Sequence, residues 1–382
     1  MKKLYFNQLR LVNYRNFIDI NLNFDRNINI FIGDNAQGKT NILEALNFIV
    51  KGTSYRTNCD TQLINWDNNL TYLHASIYKK ENDYQINISL ERKVENFDKN
   101  KLIKTIKINQ NFKKKLQLNK EFKGVVFSPE HLQVIKGSPS LRRKFLNEQI
   151  SQIYPLYYKY LLKYHRILSH RNNILKNSYV NREKEKNLSL WDSQLIECGT
   201  FLILTRTRFL KKISQIADKF HREITENRET LNLIYQTNVY SKCEEKTELI
   251  KKKFKEKIDK FKEKELNSRT TLIGPHRDDF LVYINQANVA FYGSQGQQRT
   301  SILTLKLAEL DLIKEREGIY PILFLDDVMS ELDEKRRYFL LDLIINKEIQ
   351  TFITSISLNY FNKNILDKGK IFKIEKGKAV IL

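Results

Sequence analysis

The sequence predicts an α/β protein, a phosphate-binding core with a mixed sheet interrupted by an inserted helical lobe, on three observations. A nearly continuous apolar run, Ile28 to Ile32, enters a glycine-containing loop, and a helical segment through Ala45 to Val50 follows it. From about residue 140 to 267 the hydrophobic period is helical, whereas the residues before and after carry strand patterns. A second short apolar run, Pro321 to Leu325, ends on two acidic residues, Asp326 and Asp327.

Taken in order, residues 4 to about 110 read as strands. Ile18, Ile20, Leu22 and Phe24 alternate with polar residues, as do Tyr84, Ile86, Ile88 and Leu90, and more loosely Ile103, Thr105 and Ile108. Alternation leaves one face wet, so antiparallel pairing is expected. Ile28 to Ile32 lacks it and is expected as a buried strand, then a loop and a helix. In the helical stretch, Trp191, Leu195, Cys198, Leu202, Phe209, Ile213, Ile216 and Phe220 recur at spacings that place all of them on one stripe of a long helix. Ile250, Phe254, Ile258 and Phe261 repeat the pattern in a Lys/Glu-rich background. Both stripes read as packing faces, and neither lasts long enough for an extended coiled coil. After residue 270 strands return: the run before Asp326, then Thr351 to Ile356, then Ile371 to Leu382 as a hairpin turning at Lys376-Gly377. The expected division is therefore 1–125 for the first part of the core, 126–267 for the helical lobe and 268–382 for the rest of the core.

The chain has 382 residues, 41% hydrophobic and 29% charged, which excludes wholesale disorder and fibrous repeats. Lys+Arg 66 against Asp+Glu 44 gives a net charge of +22 and favours a polyanionic partner, nucleic acid ahead of an acidic membrane surface. Cys59, Cys198 and Cys243 are widely spaced and form no CxxC pair, which argues against a disulfide scaffold or a cysteine zinc site. Lys2 and Lys3 begin like a signal peptide, but Asn7, Gln8 and Arg10 interrupt before an apolar stretch develops. No run approaches the ~18 apolar residues of a membrane helix. A cytoplasmic protein without a membrane partner is expected.

Gly33-Asp34-Asn35-Ala36-Gln37-Gly38-Lys39-Thr40 fits G-x-x-x-x-G-K-[ST], after a buried strand and opening a helix. Glycines let backbone N–H groups curl around phosphate oxygens, and the helix N-terminus adds partial positive charge. Lys39 is placed to neutralise the β- and γ-phosphates of ATP, and the Thr40 hydroxyl to ligate Mg2+. At the end of the strand beside such a loop, Asp326 is the candidate for magnesium and Asp327 for polarising the attacking water. A third element, Gly293-Ser294-Gln295-Gly296-Gln297-Gln298-Arg299-Thr300, precedes a helix carrying Ile302, Leu305 and Leu310. Ser294, Gly296 and Gln297 offer a hydroxyl, a bare amide and a polar side chain at a helix start, a second anion site.

Phosphate loop, S-x-G-Q segment and strand-end carboxylates together resemble the heads of ATP-binding-cassette proteins, and Ser330 to Asp333 resembles their dimer-facing loop. A narrower resemblance covers nearly the whole chain. Asn13 to Phe17, Asn35 to Asn41, Ser54 to Thr57, Phe127 to Glu130, Gly137 to Arg143, Gly274 to Asp279, Ser294 to Arg299 and Leu325 to Val328 are similar, in the same order, to the bacterial RecF family. The resemblance implies an ABC-type head related to SMC proteins, without the long coiled coil, that binds DNA and dimerises with ATP. In such heads the S-x-G-Q segment of one subunit caps the nucleotide held by the other. It further implies action at single-stranded gaps and duplex junctions with RecR and RecO, helping to load a recombinase.

Arg15 and Arg56 are candidates either for nucleotide phosphates or for structural ion pairs. His276 reads as holding a loop by hydrogen bonds, Glu130 as part of a nucleotide-sensing loop, and Ser355 as a γ-phosphate contact. The lysine runs at Lys113 to Lys115 and Lys251 to Lys264 read as solvated faces, with DNA contact as the alternative. The function expected is an ATP-dependent DNA-binding switch in recombinational repair and replication-fork maintenance, reset by slow, weak ATP hydrolysis. The ATPase subunit of a membrane transporter is the alternative from another class, and a nuclease-associated ATPase a third.

Overall fold

The computed structural model describes residues 3–95, 99–177, 183–240 and 246–382. Two compact units divide the chain: residues 1–129 with 309–382, and residues 130–308.

In the first unit an antiparallel sheet has the order β2-β1-β4-β5-β6-β7 among the described residues. Its strands are β1 (Leu4–Tyr14), β2 (Phe17–Asn23), β4 (Leu70–Lys79), β5 (Asn82–Glu95), β6 (Lys99–Ile108) and β7 (Asn111–Phe112). The alternation expected for these segments holds for Ile86, Ile88 and Leu90, which are buried along β5. It fails at two places. Ile18 is 62% exposed because Phe17, beside the turn, takes the core position. In β6 the buried residues are Ile106 and Ile108, so Ile103 and Thr105 belong to the opposite face.

The second sheet of this unit has the order β15-β14-β3-β13-β12-β8 and is mixed. Strands β3 (Ile28–Ile32), β8 (Gly124–Phe127), β12 (Ile322–Asp326), β13 (Thr351–Ser355) and β14 (Gly369–Glu375) run parallel. Strand β15 (Lys378–Ile381) returns antiparallel on β14 through the expected turn at Lys376-Gly377. Strands β8, β12 and β13 are buried at every position, and in β8 and β12 this shows as an apolar run rather than alternation. Helix α1 (Lys39–Lys51) buries Ile42, Leu43, Leu46, Phe48, Ile49 and Val50, and ends at Gly52, whose left-handed backbone lets its N–H reach Phe48 O at 2.6 Å. Short helix α2 (Lys115–Glu121) precedes β8. The parallel register sets Asp326 beside Thr354 and Ser355 beside Ile32, so the carboxyl ends of β3, β12 and β13 lie side by side. That edge is where open α/β sheets bind ligands.

The core between the sheets is aromatic. Phe24 meets Phe352 edge-on at 4.9 Å between ring centroids, and Phe31 lies 5.3 Å from Phe372. Gln350, buried just before β13, bridges the sheets: its Oε1 accepts from Phe6 N–H (2.7 Å), and its amide donates to Phe6 O (2.9 Å) and Asp25 O (2.8 Å).

The second unit contains helices α3 (Gln133–Lys136), α4 (Pro139–Ile153), α5 (Pro155–Asn177), α6 (Glu183–Thr225), α7 (Thr247–Ser268) and α8 (Val289–Tyr292). Leu195, Cys198, Leu202, Phe209, Ile213 and Phe220 are buried along α6, and Ile250, Phe254 and Ile258 along α7, whereas Trp191, Ile216 and Phe261 of the same stripes are only half-buried. The helical period hides a strand, β9 (Leu231–Gln236), which pairs antiparallel with β10 (Asp279–Ile284), itself paired with β11 (Ala287–Asn288). This sheet explains why the compact unit extends to Ala308 rather than to 267: residues beyond 267 pair with a strand from inside the lobe. Six residues between two long helices give too short a period-two signal to stand out. The unit boundary falls within α9 (Gln295–Glu317), after which come α10 (Val328–Glu331), α11 (Glu334–Asn346) and α12 (Lys363–Lys368). Cys59 is exposed and Cys198 buried; Cys243 lies outside the described residues.

Replacing Gln350 by leucine strands Phe6 N–H and C=O in the core. It is expected to cost about 3 kcal/mol, from three lost hydrogen bonds and the desolvated groups left behind. Urea unfolding checks this, and a loss below about 0.5 kcal/mol contradicts the bridging role.

Candidate nucleotide-binding site

The loop from Gly33 to Gly38 joins β3 to α1, and its backbone needs glycine at both ends. Gly33 (φ 150°) has Ile374 O 2.3 Å from where a Cβ would stand, and Gly38 (φ 110°) has Asn16 Nδ2 at 2.6 Å. Asn16 braces the loop by donating to Gln37 O (3.0 Å), and Gln37 Oε1 accepts from Lys376 N–H (2.7 Å). The Gln37 side chain thus ties the loop to the β14–β15 turn. Ala36 takes a left-handed conformation, while Asp34 and Asn35 lie on the exposed rim.

Lys39 turns its ammonium back into the loop, donating to Gly33 O (2.5 Å) and Asp34 O (2.8 Å). Burial lowers its pKa, while Asp327, Asp34 and Asp326 oppose that shift. Two carbonyls thus hold a cation where the sequence motif requires one for phosphate.

Thr40 Oγ1 donates to Asp326 Oδ1 at 2.8 Å across 286 positions of sequence. The same carboxylate accepts from Thr354 Oγ1 (2.9 Å, to Oδ1) and Tyr55 Oη (2.8 Å, to Oδ2). Thr354 Oγ1 also accepts the N–H of Asp327 (2.9 Å), fixing the backbone at the strand end, where Asp327 is left-handed (φ 51°). Although Asp327 precedes α10, its side chain caps nothing there. Its Oδ1 is buried without a hydrogen-bond partner, and burial raises the pKa of its carboxyl.

This donor set fits magnesium. A hydroxyl and a carboxylate, both oxygen, sit 2.8 Å apart beside a phosphate loop, and a further buried carboxylate oxygen is left unsatisfied. No group of three or more His, Cys, Asp or Glu among the described residues could form a protein-only cage. Such a pair suits an ion that completes its shell with phosphate oxygens and water.

Other candidates make contacts of their own. Arg15 holds the fully buried Glu44 through two bonds, Nε to Oε2 (3.0 Å) and Nη2 to Oε1 (2.9 Å), and Ser54 Oγ donates to Glu44 Oε1 at 2.5 Å. Arg56 reaches Glu44 Oε2 (3.5 Å) and Asn41 Oδ1 (2.8 Å). Both arginines are therefore engaged in ion pairs. Ser355 Oγ donates to Ser357 O (2.8 Å) at the end of β13. Glu130 is exposed in a short 3₁₀ turn, Pro129–Leu132. Asp333 caps α11 by accepting from Arg336 N–H, and Ser330 Oγ donates to Asp327 O (2.9 Å).

In the second unit, Ser294 and Gln297 open α9 as a reciprocal pair: Ser294 N–H donates to Gln297 Oε1 (2.9 Å) and Gln297 N–H to Ser294 Oγ (3.2 Å). Gly296 lies in the first turn, its carbonyl accepting from Thr300 Oγ1 (2.8 Å). Just before them Phe291 and Tyr292 are 79% and 78% exposed, a pair that the sequence reading passed over. Also missed were Tyr55 and Thr354, which support Asp326. Each lies within or beside a motif already singled out, but hydrogen bonds to a residue 271 positions away, for Tyr55, and 28 away, for Thr354, leave no local pattern.

The Gly274 to Asp279 segment carries a partly buried polar network. Arg142 holds Asp279 through two 2.7 Å bonds, and Tyr235 Oη donates to Asp278 Oδ2 (2.5 Å). His276 sits between Tyr164 Oη (2.7 Å) and Thr271 O (3.1 Å), the loop-holding role expected of it, and burial pushes its pKa down to about 4.

The family model described as the RecF/RecN/SMC N terminal domain matches residues 5–379. The DNA replication and repair protein RecF of Alkaliphilus oremlandii is 42% identical, with 97% of this chain and 98% of that protein covered. RecF of Clostridium tetani is 39% identical, with 99% and 100% covered. A solved structure of the recombination mediator protein RecF-ATP in the RecFOR pathway matches with a TM-score of 0.89 and 34% identity, covering 100% of this chain and 98% of that one. The Smc head domain of Pyrococcus furiosus, at a TM-score of 0.55 and 13% identity, shares the fold.

Because folded His276 has a lower pKa than an unfolded histidine, its contribution to stability is full above pH 6.5 and is lost as pH falls toward 4. Between pH 7 and 5 the wild type is expected to lose about 2 kcal/mol more than His276→Asn. Urea unfolding at the two pH values checks this; equal losses contradict it.

Proposed function

Because the chain belongs to the RecF family of DNA replication and repair proteins, we propose that it is an ATP-dependent DNA-binding switch of recombinational repair and replication-fork maintenance. The observation that carries the reading is the junction of Thr40 with Asp326, which joins a phosphate loop to a strand-end carboxylate pair. On this reading the backbone of Gly33 to Gly38 wraps the polyphosphate of ATP. Lys39 transfers its ammonium from the carbonyls of Gly33 and Asp34 to the β- and γ-phosphates. Thr40 and Asp326 would hold Mg2+, which when bound supplies positive charge to the phosphate oxygens. Asp327, its carboxyl already raised by burial, accepts a proton from the attacking water.

Ser294, Gly296 and Gln297 of a second copy close over the nucleotide, so that a homodimer forms with ATP and slow hydrolysis releases it. The relative described as a recombination mediator in the RecFOR pathway supports RecR and RecO as partners; action at single-stranded gaps and duplex junctions, where a recombinase is loaded, belongs to the same proposal. The net charge of +22 supports DNA contact through phosphates, which makes binding salt-dependent and weakly base-specific. The named relatives give no support to the transporter alternative, and no helix among the described residues is long and apolar enough to cross a membrane.

Lys39→Met is expected to abolish ATP binding, read by equilibrium dialysis, with unchanged folding by circular dichroism. Asp327→Asn is expected to bind ATP, lower hydrolysis at least about a hundredfold and accumulate the dimer in sedimentation. Normal turnover in Asp327→Asn contradicts its role as base, and absence of a dimer in wild-type protein with ATP contradicts the switch.

A further inference from the structure

The first turn of α9 is tied down by a residue outside its motif. Once Ser294 and Gln297 have satisfied each other, the Gln297 side-chain NH2 remains, and it donates to Glu229 Oε1 at 2.9 Å. The other oxygen, Oε2, lies 3.0 Å from Nε2 of His221, which is fully buried on α6. Glu229 stands on fixed backbone. Next to it, Thr230 N–H donates to Asn285 Oδ1 (2.8 Å) and Asn285 N–H to Thr230 O (3.1 Å). Leu231 N–H donates to Asp218 Oδ1 on α6 (2.8 Å).

The chemistry of this contact is directional. The two ends of a glutamine amide have nearly the same shape, and half a turn about its last torsion exchanges donor for acceptor. A carboxylate only accepts, so Glu229 selects the orientation that gives it the NH2 and leaves Gln297 Oε1 for Ser294 N–H. In the opposite orientation two acceptors would face each other and Ser294 N–H would meet a donor. We infer that Glu229 is a positioning residue for the cap: through its bond to His221 it anchors Gln297 to α6, sets the polarity of that amide and so fixes Ser294. This rests on the reading that the Ser294 segment closes over the nucleotide of a second copy.

The test uses full-length protein with Mg2+ and a slowly hydrolysed ATP analogue, and reads the concentration for half-dimerisation by sedimentation. Binding of a fluorescent ATP analogue to the monomer is measured in parallel. Glu229→Ala is expected to raise the half-dimerisation concentration about tenfold, the effect of one charge-assisted hydrogen bond, with monomer affinity unchanged. Gln297→Glu, which sets two carboxylates together, should weaken dimerisation at least as much. The E229Q/Q297E exchange, which restores an amide-carboxylate pair with reversed donor, should return it to within about threefold of wild type. Wild-type dimerisation in Glu229→Ala, or no recovery in the exchange, overturns the inference. If Glu229→Ala does not fold, comparing Gln297→Glu with the exchange decides it alone. Ser294→Ala separates the two claims: its normal dimerisation sinks the cap itself, whereas its loss beside an unaffected Glu229→Ala sinks only the positioning role.

Discussion

The hydrogen bond from Thr40 to Asp326 is the constraint around which the first unit is arranged. It joins the first turn of α1 to the end of β12, and it can form only if β3, β12 and β13 end at the same level. Parallel pairing provides that level, and burial of the strands on both faces holds the register, because a slip of one residue would carry Asp326 away from Thr40 and Thr354. A hydrogen bond to a charged carboxylate contributes about 1.5–3 kcal/mol, and Asp326 receives three. The neighbouring Asp327 is treated in the opposite way. It is half-buried and left-handed, with a buried Oδ1 that has no hydrogen-bond partner, and that unsatisfied oxygen is the resource the proposed chemistry uses.

Much of this was legible in the sequence, for identifiable reasons. The phosphate loop is a local motif, so Gly33, Gly38, Lys39 and Thr40 could be read from spacing alone. The buried strands β3 and β12 announced themselves as apolar runs, and the stripes of α6 and α7 followed helical period. What escaped was nonlocal or short. Tyr55 and Thr354 matter through a side chain on another strand, and Glu229 through an amide 68 positions away. Strand β9 was masked by the helices around it. The arginines were ambiguous because a guanidinium suits a carboxylate as well as a phosphate; in the structure both pair with the buried Glu44.

The two proposed anion sites use one strategy, in different units. Each lies where a helix begins, and in each a side chain already bonds to nearby backbone groups. In the loop it is the Lys39 ammonium on two backbone carbonyls; at α9 it is the Gln297 amide on Ser294 N–H. Polar groups that satisfy one another keep each segment ordered, since orphaned donors would be costly. The same arrangement leaves groups that exchange one oxygen partner for another when a nucleotide arrives, so little reorganisation is needed on binding.

The central claim is that nucleotide held by the Thr40–Asp326 junction governs contact with DNA phosphates. It is tested most directly by measuring affinity for gapped DNA across a salt series, with and without ATP. The account predicts tighter binding with ATP and a steeper fall of log affinity with log salt, because the dimer neutralises more phosphates. Equal affinity and equal slope in the two series would contradict it.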